Sequence, residues 1–468
     1  MAITRRQFVT RLGALAAVVG FSQAEVSKIA EAFAGNATPF GAKSTAGKPR
    51  VIWIHGAECT GCSTSLLGIL EAPGGHPLVG DNTTTTLAAL GLAKVEATSH
   101  TLGVGGVTGE TDNLFTLWSG SAGVPSLGIP ANVSAIEGQA IVNIADVVID
   151  VIDLQYHETV MGMGGDLAAQ WLNDFVHDTA GAGTLGADPF VLVVEGALQN
   201  KSQGGAWADT AGNGRPWCSI GCSDDFEESP LVGFEIDMAD TVVALAKKAT
   251  CKAIIPIGQC AAFGGYPGCK PPISLATAGW TNAISQTEAM GVTAYLDTYG
   301  GSGKADAIAK VINVPGCPTN PWWFVLTVVL FMADFAQGGG SILDSGTLLP
   351  RADAVDASGR LKAVYPIPVH SAWCPRYRFY KVGKYAQHPG DAGCLQKLGC
   401  KGIATNSLCG IHGWNNQQPE NPGSLSSLNP SGTSSALTYG GHCTRAGHPC
   451  MACTEKGYPD SFVPYVKL

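Results

Sequence analysis

Cys59 and Cys62 stand two residues apart, just after a short apolar run, Val51-Ile52-Trp53-Ile54, and the break at His55-Gly56. Two soft ligands at the tip of a strand, where a helix begins, suit three chemistries: gripping a metal ion, gripping a metal cluster, or cycling as a dithiol. Two further cysteines follow apolar runs in the same manner. Ala253–Ile257 leads through Gly258-Gln259 into Cys260, and Lys310–Val314 leads through Pro315-Gly316 into Cys317. Four thiols from three strand ends are thereby expected at one edge of one sheet. The plainer alternative leaves Cys260 and Cys317 as buried core thiols. From about residue 351 a second set appears: His370, Cys374, Cys394, Cys400, Cys409, Cys443, Cys450 and Cys453. Eight such ligands suit two four-ligand centres. Zinc and iron–sulfur chemistry fit the spacing equally well.

The elements that must position these residues are those of an α/β domain. Five runs read as strands: Val51–Ile54, Val147–Leu154, Phe190–Val194, Ala253–Ile257 and Lys310–Val314. Most are nearly continuous in apolar, often β-branched residues and end in a Gly or polar turn, as strands of a parallel sheet covered on both faces do. Ligands of such sheets sit beyond the carboxyl ends of the strands. After Cys317, Thr319 or Asn320 is placed to cap a helix with Pro321 in its first turn. Trp322–Ala336 is apolar almost throughout and reads as a buried core helix, too short to span a bilayer. Residues 71–145 carry Thr83–Thr86, many glycines and weak periodicity, and read as an insertion. Beyond 351 the chain is dense in Cys, Gly and Pro. Such a segment has too little core to order itself and needs a staple.

Charged residues make up 14% of the chain, against roughly 25% in an average soluble protein. A chain this poor in charge has surface to hide against a partner. The net charge of −9 offers no overall basic character, which argues against nucleic acid. Thr4-Arg5-Arg6-Gln7-Phe8, the apolar stretch from Leu12 to Phe21 and Ala32-Phe33-Ala34 form a twin-arginine export signal with a small-residue cleavage site. That assigns residues 1–34 to a signal peptide and 35–50 to a linker. The expected destination is the periplasm or the outer face of the cytoplasmic membrane, with no C-terminal transmembrane anchor. Fifteen cysteines in an exported chain would ordinarily suggest disulfides. The twin-arginine route carries folded proteins, often with cofactor inserted, and so keeps metal-bound cysteines in play.

Eight segments carry a resemblance: AECTGCS (Ala57–Ser63), YHETVM (Tyr156–Met161), VVEGA (Val193–Ala197), IGQCAAFGG (Ile257–Gly265), NVPGCPTNPWW (Asn313–Trp323), CPR (Cys374–Arg376), GCLQKLGCKG (Gly393–Gly402) and AGHPCMAC (Ala446–Cys453). In this order the chain resembles the small, electron-transfer subunit of nickel–iron hydrogenases. The resemblance implies a flavodoxin-like parallel-sheet domain over 51–350, followed by a loop-rich iron–sulfur cluster domain over 351–468. It implies three clusters in a line. The proximal one would take Cys59, Cys62, Cys260 and Cys317. The distal one would take His370, Cys374, Cys394 and Cys400, and the medial one Cys409, Cys450 and Cys453.

Departures from the family pattern sharpen these expectations. The distal pair is usually His-x-x-Cys; here one extra residue separates His370 from Cys374, which leaves either a bulge or a different ligand. Cys443 stands where many members have Pro and a three-iron medial cluster. A 4Fe-4S medial cluster is therefore expected, with 3Fe-4S the alternative. Gly61 and Gly265 stand where oxygen-tolerant relatives carry extra cysteines, so an ordinary 4Fe-4S proximal cluster is expected. Thr64 replaces a frequent Glu. Glu58 is expected to accept a backbone hydrogen bond, with proton acceptance as the alternative. Cys218, Cys222, Cys251 and Cys269 read as structural thiols or a disulfide.

The implied reaction is reversible oxidation of dihydrogen. The nickel–iron centre would sit on the large subunit of a heterodimer, with no catalytic residue in this chain. Electrons would leave for an external acceptor such as a cytochrome, and His370 would mark their exit. Two rival readings remain at this level. One is an iron–sulfur subunit of a different oxidoreductase, such as the related quinone-reducing respiratory complex. The other is a secreted scaffold stapled by zinc or disulfides.

Overall fold

The computed structural model describes residues 49–67, 152–178, 186, 188–200, 216–222, 235–269, 288–366, 368–371, 374–409, 414–415 and 442–459. The expected leader, nearly all of the linker and the 71–145 insertion lie outside the described residues. The parallel sheet comprises β1 (Arg50–His55), β2 (Asp153–His157), β3 (Phe190–Glu195) and β6 (Cys251–Ile257), in the order β2-β1-β3-β6. A fifth extended segment, 311–314, joins β6 through parallel bridges at Ile254–Val311 and Ile257–Val314. Taken in chain order the five run 2-1-3-4-5, the flavodoxin-like arrangement, whose ligand crevice opens between the first and third strands. A separate antiparallel pair is formed by β4 (Ser219–Cys222) and β5 (Glu235–Asp237).

Two strand expectations shift. The second strand begins at Asp153, later than expected, and Val147–Val151 lie outside the described residues. Its sequence, DLQYH, is half polar because β2 is the edge strand and only its last two residues are buried. The segment 310–314 is extended but forms no continuous strand. Ile254 N donates to Lys310 O and Gly258 N donates to Val314 O; Pro256 stands between them and has no N–H for the intervening rung.

Alternation along the strands sorts two cores. Val51, Trp53, Val191, Val193 and Ile255 face one side, where α7 (Pro321–Gln337) packs through Phe324, Val328 and Phe331. Ile52, Ile54, Leu192, Val194 and Ile254 face the other side. There they meet Leu172 and Phe175 of α2 (Gly165–His177), Val242 and Leu245 of α3 (Met238–Lys247), and Leu296 of α5 (Val292–Tyr299). Both faces are thus covered, as the apolar runs imply. The Trp322–Ala336 expectation is met by α7. Thr319 does not cap it: its hydroxyl donates back to Val314 O at 2.9 Å. Among the described residues no helix is long and apolar enough to cross a membrane.

The C-terminal segment has little regular structure. Beyond α7 the described helices are α8 (Tyr377–Lys381) and two 3-10 turns, Leu395–Leu398 and Gly402–Ala404. It is tied to the sheet domain by polar contacts. Gln259 Nε2 donates to Glu455 O at 2.8 Å, Trp414 Nε1 donates to Cys317 O at 3.0 Å, and Tyr365 Oη donates to Pro315 O at 2.8 Å. Arg360, almost wholly buried, donates to Asp356 and Glu455 carboxylates and to Thr454 O.

Candidate cluster sites

The first thiol group is assembled at the carboxyl ends of the strands. Beyond β1, Gly56 N donates to Glu195 O, and Ala57 and Ala197 exchange backbone bonds at 3.0 Å, which fastens the Cys59 loop to the end of β3. α1 (Gly61–Leu67) then starts with Cys62 on its inner face. Beyond β6, Gly258 N donates to Val314 O and Gln259 N donates to Gly316 O, so the loops carrying Cys260 and Cys317 run side by side. Thr319 N points at Cys62 Sγ at 3.4 Å, and Ser65 Oγ donates to Thr319 O at 2.7 Å. Burial pushes Cys62, Cys260 and Cys317 above the ordinary thiol pKa; Glu195 and then Cys260 add to this at Cys62, Cys317 and Cys59 add to it at Cys260, and Cys59 adds to it at Cys317. Gly258 has φ +85° and Gly265 has φ +51°; a Cβ on them would stand 2.5 Å from Cys62 Sγ and 2.9 Å from Cys260 Sγ.

A polar knot behind Cys62 carries no role in the sequence reading. Glu195 Oε1 accepts from Cys62 N and Ser63 N, both at 3.0 Å. Its Oε2 accepts from Ser63 Oγ at 2.5 Å and Trp53 Nε1 at 3.2 Å. His157 Nδ1 accepts from Thr159 N, so in the neutral ring the proton sits on Nε2, which lies 3.2 Å from Ser63 Oγ. The chain therefore runs one way: His157 donates to Ser63, and Ser63 donates to Glu195. Burial and then His55 lower the His157 pKa to about 3, which keeps that ring neutral. Burial pushes the Glu195 pKa up, yet three of its four donors are N–H groups with no alternative role, and they favour the carboxylate. The clue available in sequence is an acid closing the apolar strand FVLVVE directly before Gly196.

Glu58 differs from expectation. Its Oε1 meets the side chains of His55 (Nδ1, 3.1 Å) and Thr60 (Oγ1, 3.0 Å) rather than a backbone N–H. Burial works against a charge on His55, but Glu58, Glu195 and Glu158 hold its pKa above the ordinary value. Thr64, in place of the family's Glu, donates to Thr60 O.

The C-terminal ligand candidates fall into two groups that touch. His370, Cys374, Cys394 and Cys400 line one cleft, with Arg376, Gly402 and Thr444. Among the described residues His370 Nε2, which is buried, meets no hydrogen-bond partner, while its ring packs edge-on against Tyr377 and Tyr380. An orphaned imidazole nitrogen on a wall shared with three thiols is compatible in its chemistry with a fourth ligand despite the longer His370–Cys374 spacing. The turn bonds Ser371 N to Val369 O and Cys374 N to Ser371 O. Arg376 braces the cleft by donating to Thr444 O, Asp391 O and Gly393 O.

Cys409, Cys443, Cys450 and Cys453 form the other group. Burial pushes their pKa values upward and neighbouring thiols add to it: Cys409 feels Cys453, Cys443 and Cys450, Cys443 feels Cys450, and Cys450 feels Cys400 before Cys453. This group abuts both others. Cys450 N points at Cys400 Sγ at 3.2 Å, and Cys317 lies against Cys453, raising its pKa through charge while a backbone hydrogen bond from Cys317 lowers it. Of the cysteines given no ligand role, Cys251 is buried with its Sγ directed at Ala253 O, and Cys269 Sγ donates to Gly265 O at 3.5 Å, next to the Cys260 loop.

The donor set discriminates between occupants. A single zinc ion with bonds of about 2.3 Å would draw its sulfurs to roughly 3.8 Å of one another. Among the described residues no three of these twelve candidate ligands lie mutually within 4.8 Å; only His55, Glu58 and Glu195 do. The candidate cysteines are therefore spaced more widely than a single zinc ion would require.

Residues 365–423 match the family model for the C-terminal part of the NiFe/NiFeSe hydrogenase small subunit, and residues 135–331 match that of the NADH ubiquinone oxidoreductase 20 Kd subunit. The periplasmic [NiFe] hydrogenase small subunit of Solidesulfovibrio fructosivorans is 25% identical over 99% of this chain and 92% of its own length. The chain is a relative of nickel–iron hydrogenase small subunits. The F420 non-reducing hydrogenase II small subunit of Methanosarcina mazei is 26% identical over 89% of this chain and 74% of its own. The fold is shared with the [NiFeSe] hydrogenase of Desulfomicrobium baculatum (TM-score 0.51, 23% identity, 90% of this chain and 100% of that one). It is shared also with the actinobacterial-type hydrogenase of Ralstonia eutropha H16 (TM-score 0.51, 19% identity, 90% and 82%).

Proposed function

We propose that this chain is the electron-transfer subunit of a nickel–iron hydrogenase, carrying electrons between a large-subunit nickel–iron centre and an external acceptor during reversible dihydrogen oxidation. The observation that carries the proposal is the chain of contact between the three ligand groups: Cys317 neighbours Cys453, and Cys450 neighbours Cys400. Cys59, Cys62, Cys260 and Cys317 would hold the proximal centre, Cys409, Cys443, Cys450 and Cys453 the medial, and His370, Cys374, Cys394 and Cys400 the distal. Iron–sulfur clusters, when bound, supply one-electron carriers whose potentials follow ligand identity, sulfur hydrogen bonds and burial.

The chain's own residues do the rest. Thr319 N and Cys450 N direct N–H groups at Cys62 and Cys400, which favours the thiolate over the thiol. Burial of Cys62, Cys374, Cys450 and Cys453 keeps water from the sulfurs. Neutral His370 in place of a thiolate makes its centre one negative charge poorer than the all-cysteine groups. The division at about residue 350 into a sheet domain and a ligand-rich tail belongs to this reading. So does export through the twin-arginine machinery to the periplasmic side, as a heterodimer with the large subunit.

The match over 135–331 favours kinship of the sheet domain with the respiratory-complex subunit. The second and third ligand groups, all beyond residue 365, weigh toward the hydrogenase. The test is co-purification with the partner and assay of hydrogen-dependent viologen reduction, with iron and labile sulfide counted. The expected result is a brown complex with about twelve irons per chain, as three four-iron clusters require. A colourless, zinc-containing and inactive chain would overturn the proposal.

A further inference from the structure

The cleft that holds His370 opens on a surface whose charge opposes that of the whole chain. Between Arg376 and Lys401 stand six Lys or Arg residues and one acid, Asp391, whereas the chain carries a net −9. Asp391 is engaged locally, by His388 and the backbone N–H groups of Gln387 and His388. The cations rest on rings rather than on carboxylates: Lys381 over Tyr377, Lys384 over Phe379 and Lys397 over Tyr385. Among the described residues no ion pair engages Lys381, Lys384 or Lys397. A ring face holds a cation in place without cancelling its charge. Lysines fixed in this way present an oriented positive field at little further cost in side-chain ordering.

Inside that basic rim lies an apolar centre. Val382 is 75% exposed and Ile403 is 61% exposed, and Tyr380 shows its edge beside the His370 ring. Ile403 lines the same cleft as His370 and the distal cysteines. An apolar centre with a charged rim is the anatomy of a transient protein interface, in which the rim governs encounter rate and orientation.

We propose that this face docks a small, acidic one-electron carrier protein, whose carboxylates meet Lys381, Lys384 and Lys397 while its redox centre faces the His370 cleft. The proposal rests on the electron-transfer function proposed above and supplies the class of acceptor. The balance is simple. Each dihydrogen oxidised yields two protons and two electrons, and each docked carrier is reduced by one electron and departs, so two encounters complete a turnover. A basic carrier would meet like charge on this face.

The test uses the intact heterodimer and two protein acceptors, an acidic [2Fe–2S] ferredoxin and a basic cytochrome c, with benzyl viologen as a dye that needs no docking. Wild type is expected to reduce the ferredoxin with the lower KM, rising about tenfold between 50 and 300 mM salt. The double variant Lys381→Glu/Lys384→Glu should raise the ferredoxin KM about tenfold or more and flatten its salt dependence. Its viologen rate and iron content should stay at wild-type values. A wild-type preference for the cytochrome, or an unchanged ferredoxin KM in the variant, overturns the docking proposal while viologen reduction still supports the relay. Absence of viologen reduction by wild type overturns both. Anionic phosphatidylglycerol vesicles supply the remaining contrast. If the variant loses vesicle binding and keeps the ferredoxin KM, the patch is a membrane-facing surface and the proposal falls.

Discussion

Gly258→Ala offers the sharpest test of where the first thiol group sits. Gly258 opens α4 (Gly258–Phe263) at φ +85°, and a Cβ there would lie 2.5 Å from Cys62 Sγ. Two costs follow. A side chain in that backbone region costs about 1–3 kcal/mol. Relieving the overlap costs about 1–3 kcal/mol more, because the neighbour is a buried thiol whose own N–H is held by Glu195. The total, about 2–6 kcal/mol, has to be met by moving Cys62. Gly383→Ala is the matched control: φ is +69°, and no heavy atom lies within 4 Å of the added Cβ, so it carries the backbone cost alone. Iron and labile sulfide are counted in the purified complex, together with hydrogen-dependent viologen reduction. Gly383→Ala should keep both. Gly258→Ala should lose about four of about twelve irons, and with them the electron path to the dye. Full iron and full activity in Gly258→Ala would refute the reasoning, because Cys62 could not then be a ligand in the position described.

Three further outcomes are expected. Glu195→Ala strands the N–H groups of Cys62, Ser63 and Trp53. At about 1–3 kcal/mol for each orphaned donor, roughly 3–9 kcal/mol is lost, read as a lower denaturant midpoint for bleaching of the visible absorbance; Glu195→Gln keeps two of the acceptor contacts and should lose less. Arg360→Ala leaves Glu455 and Asp356 half-buried without their cation and should destabilise the seam beside Cys453 by about 3–5 kcal/mol, measured as faster proteolysis of the tail. Cys443→Ala should convert a medial centre silent in the oxidised state into one with a strong three-iron EPR signal; the same strong signal from wild type would exclude Cys443 as a ligand.

The parallel sheet was legible because its inner strands are buried on both faces. FVLVVE and VIWI admit no other reading at that length, and their carboxyl ends located the first thiol group. The edge strand was less legible. DLQYH is paired on one side only, so its composition is mixed and the apolar-run criterion places the strand several residues early. The candidate ligands stood out because cysteine is an uncommon residue and its position after each strand repeats. Their support did not. Ser63, His157 and Glu195 come from three separate segments, each unremarkable alone, and only the register of β1 with β2 and β3 makes them one network. The Glu58 expectation failed for a related reason: its partners, His55 and Thr60, depend on the sharp turn at Thr60, where φ is +58°. The basic rim was hidden by averaging, since a net charge of −9 says nothing of six cations gathered in one stretch.

The tail poses a folding problem that the sheet domain does not. From Cys374 to Tyr458 the described helices are one five-residue helix and two 3-10 turns. Burial pushes Cys409, Cys450 and Cys453 toward the neutral thiol, so on the proposed assignment a bound cluster would have to displace their protons. On the proposed assignment, metal binding and ordering of the tail would be one equilibrium, because binding would both deprotonate the thiols and add to the small core of the loops. The sheet domain already holds two of its cluster-facing loops in register through backbone bonds between Gly258 and Val314 and between Gln259 and Gly316. Loading should therefore be separable. Under limited iron, the proximal group, preorganised on strand ends, should fill while the tail stays protease-sensitive, and a chain whose tail is protected before any iron is bound would show that the loops order themselves by other means.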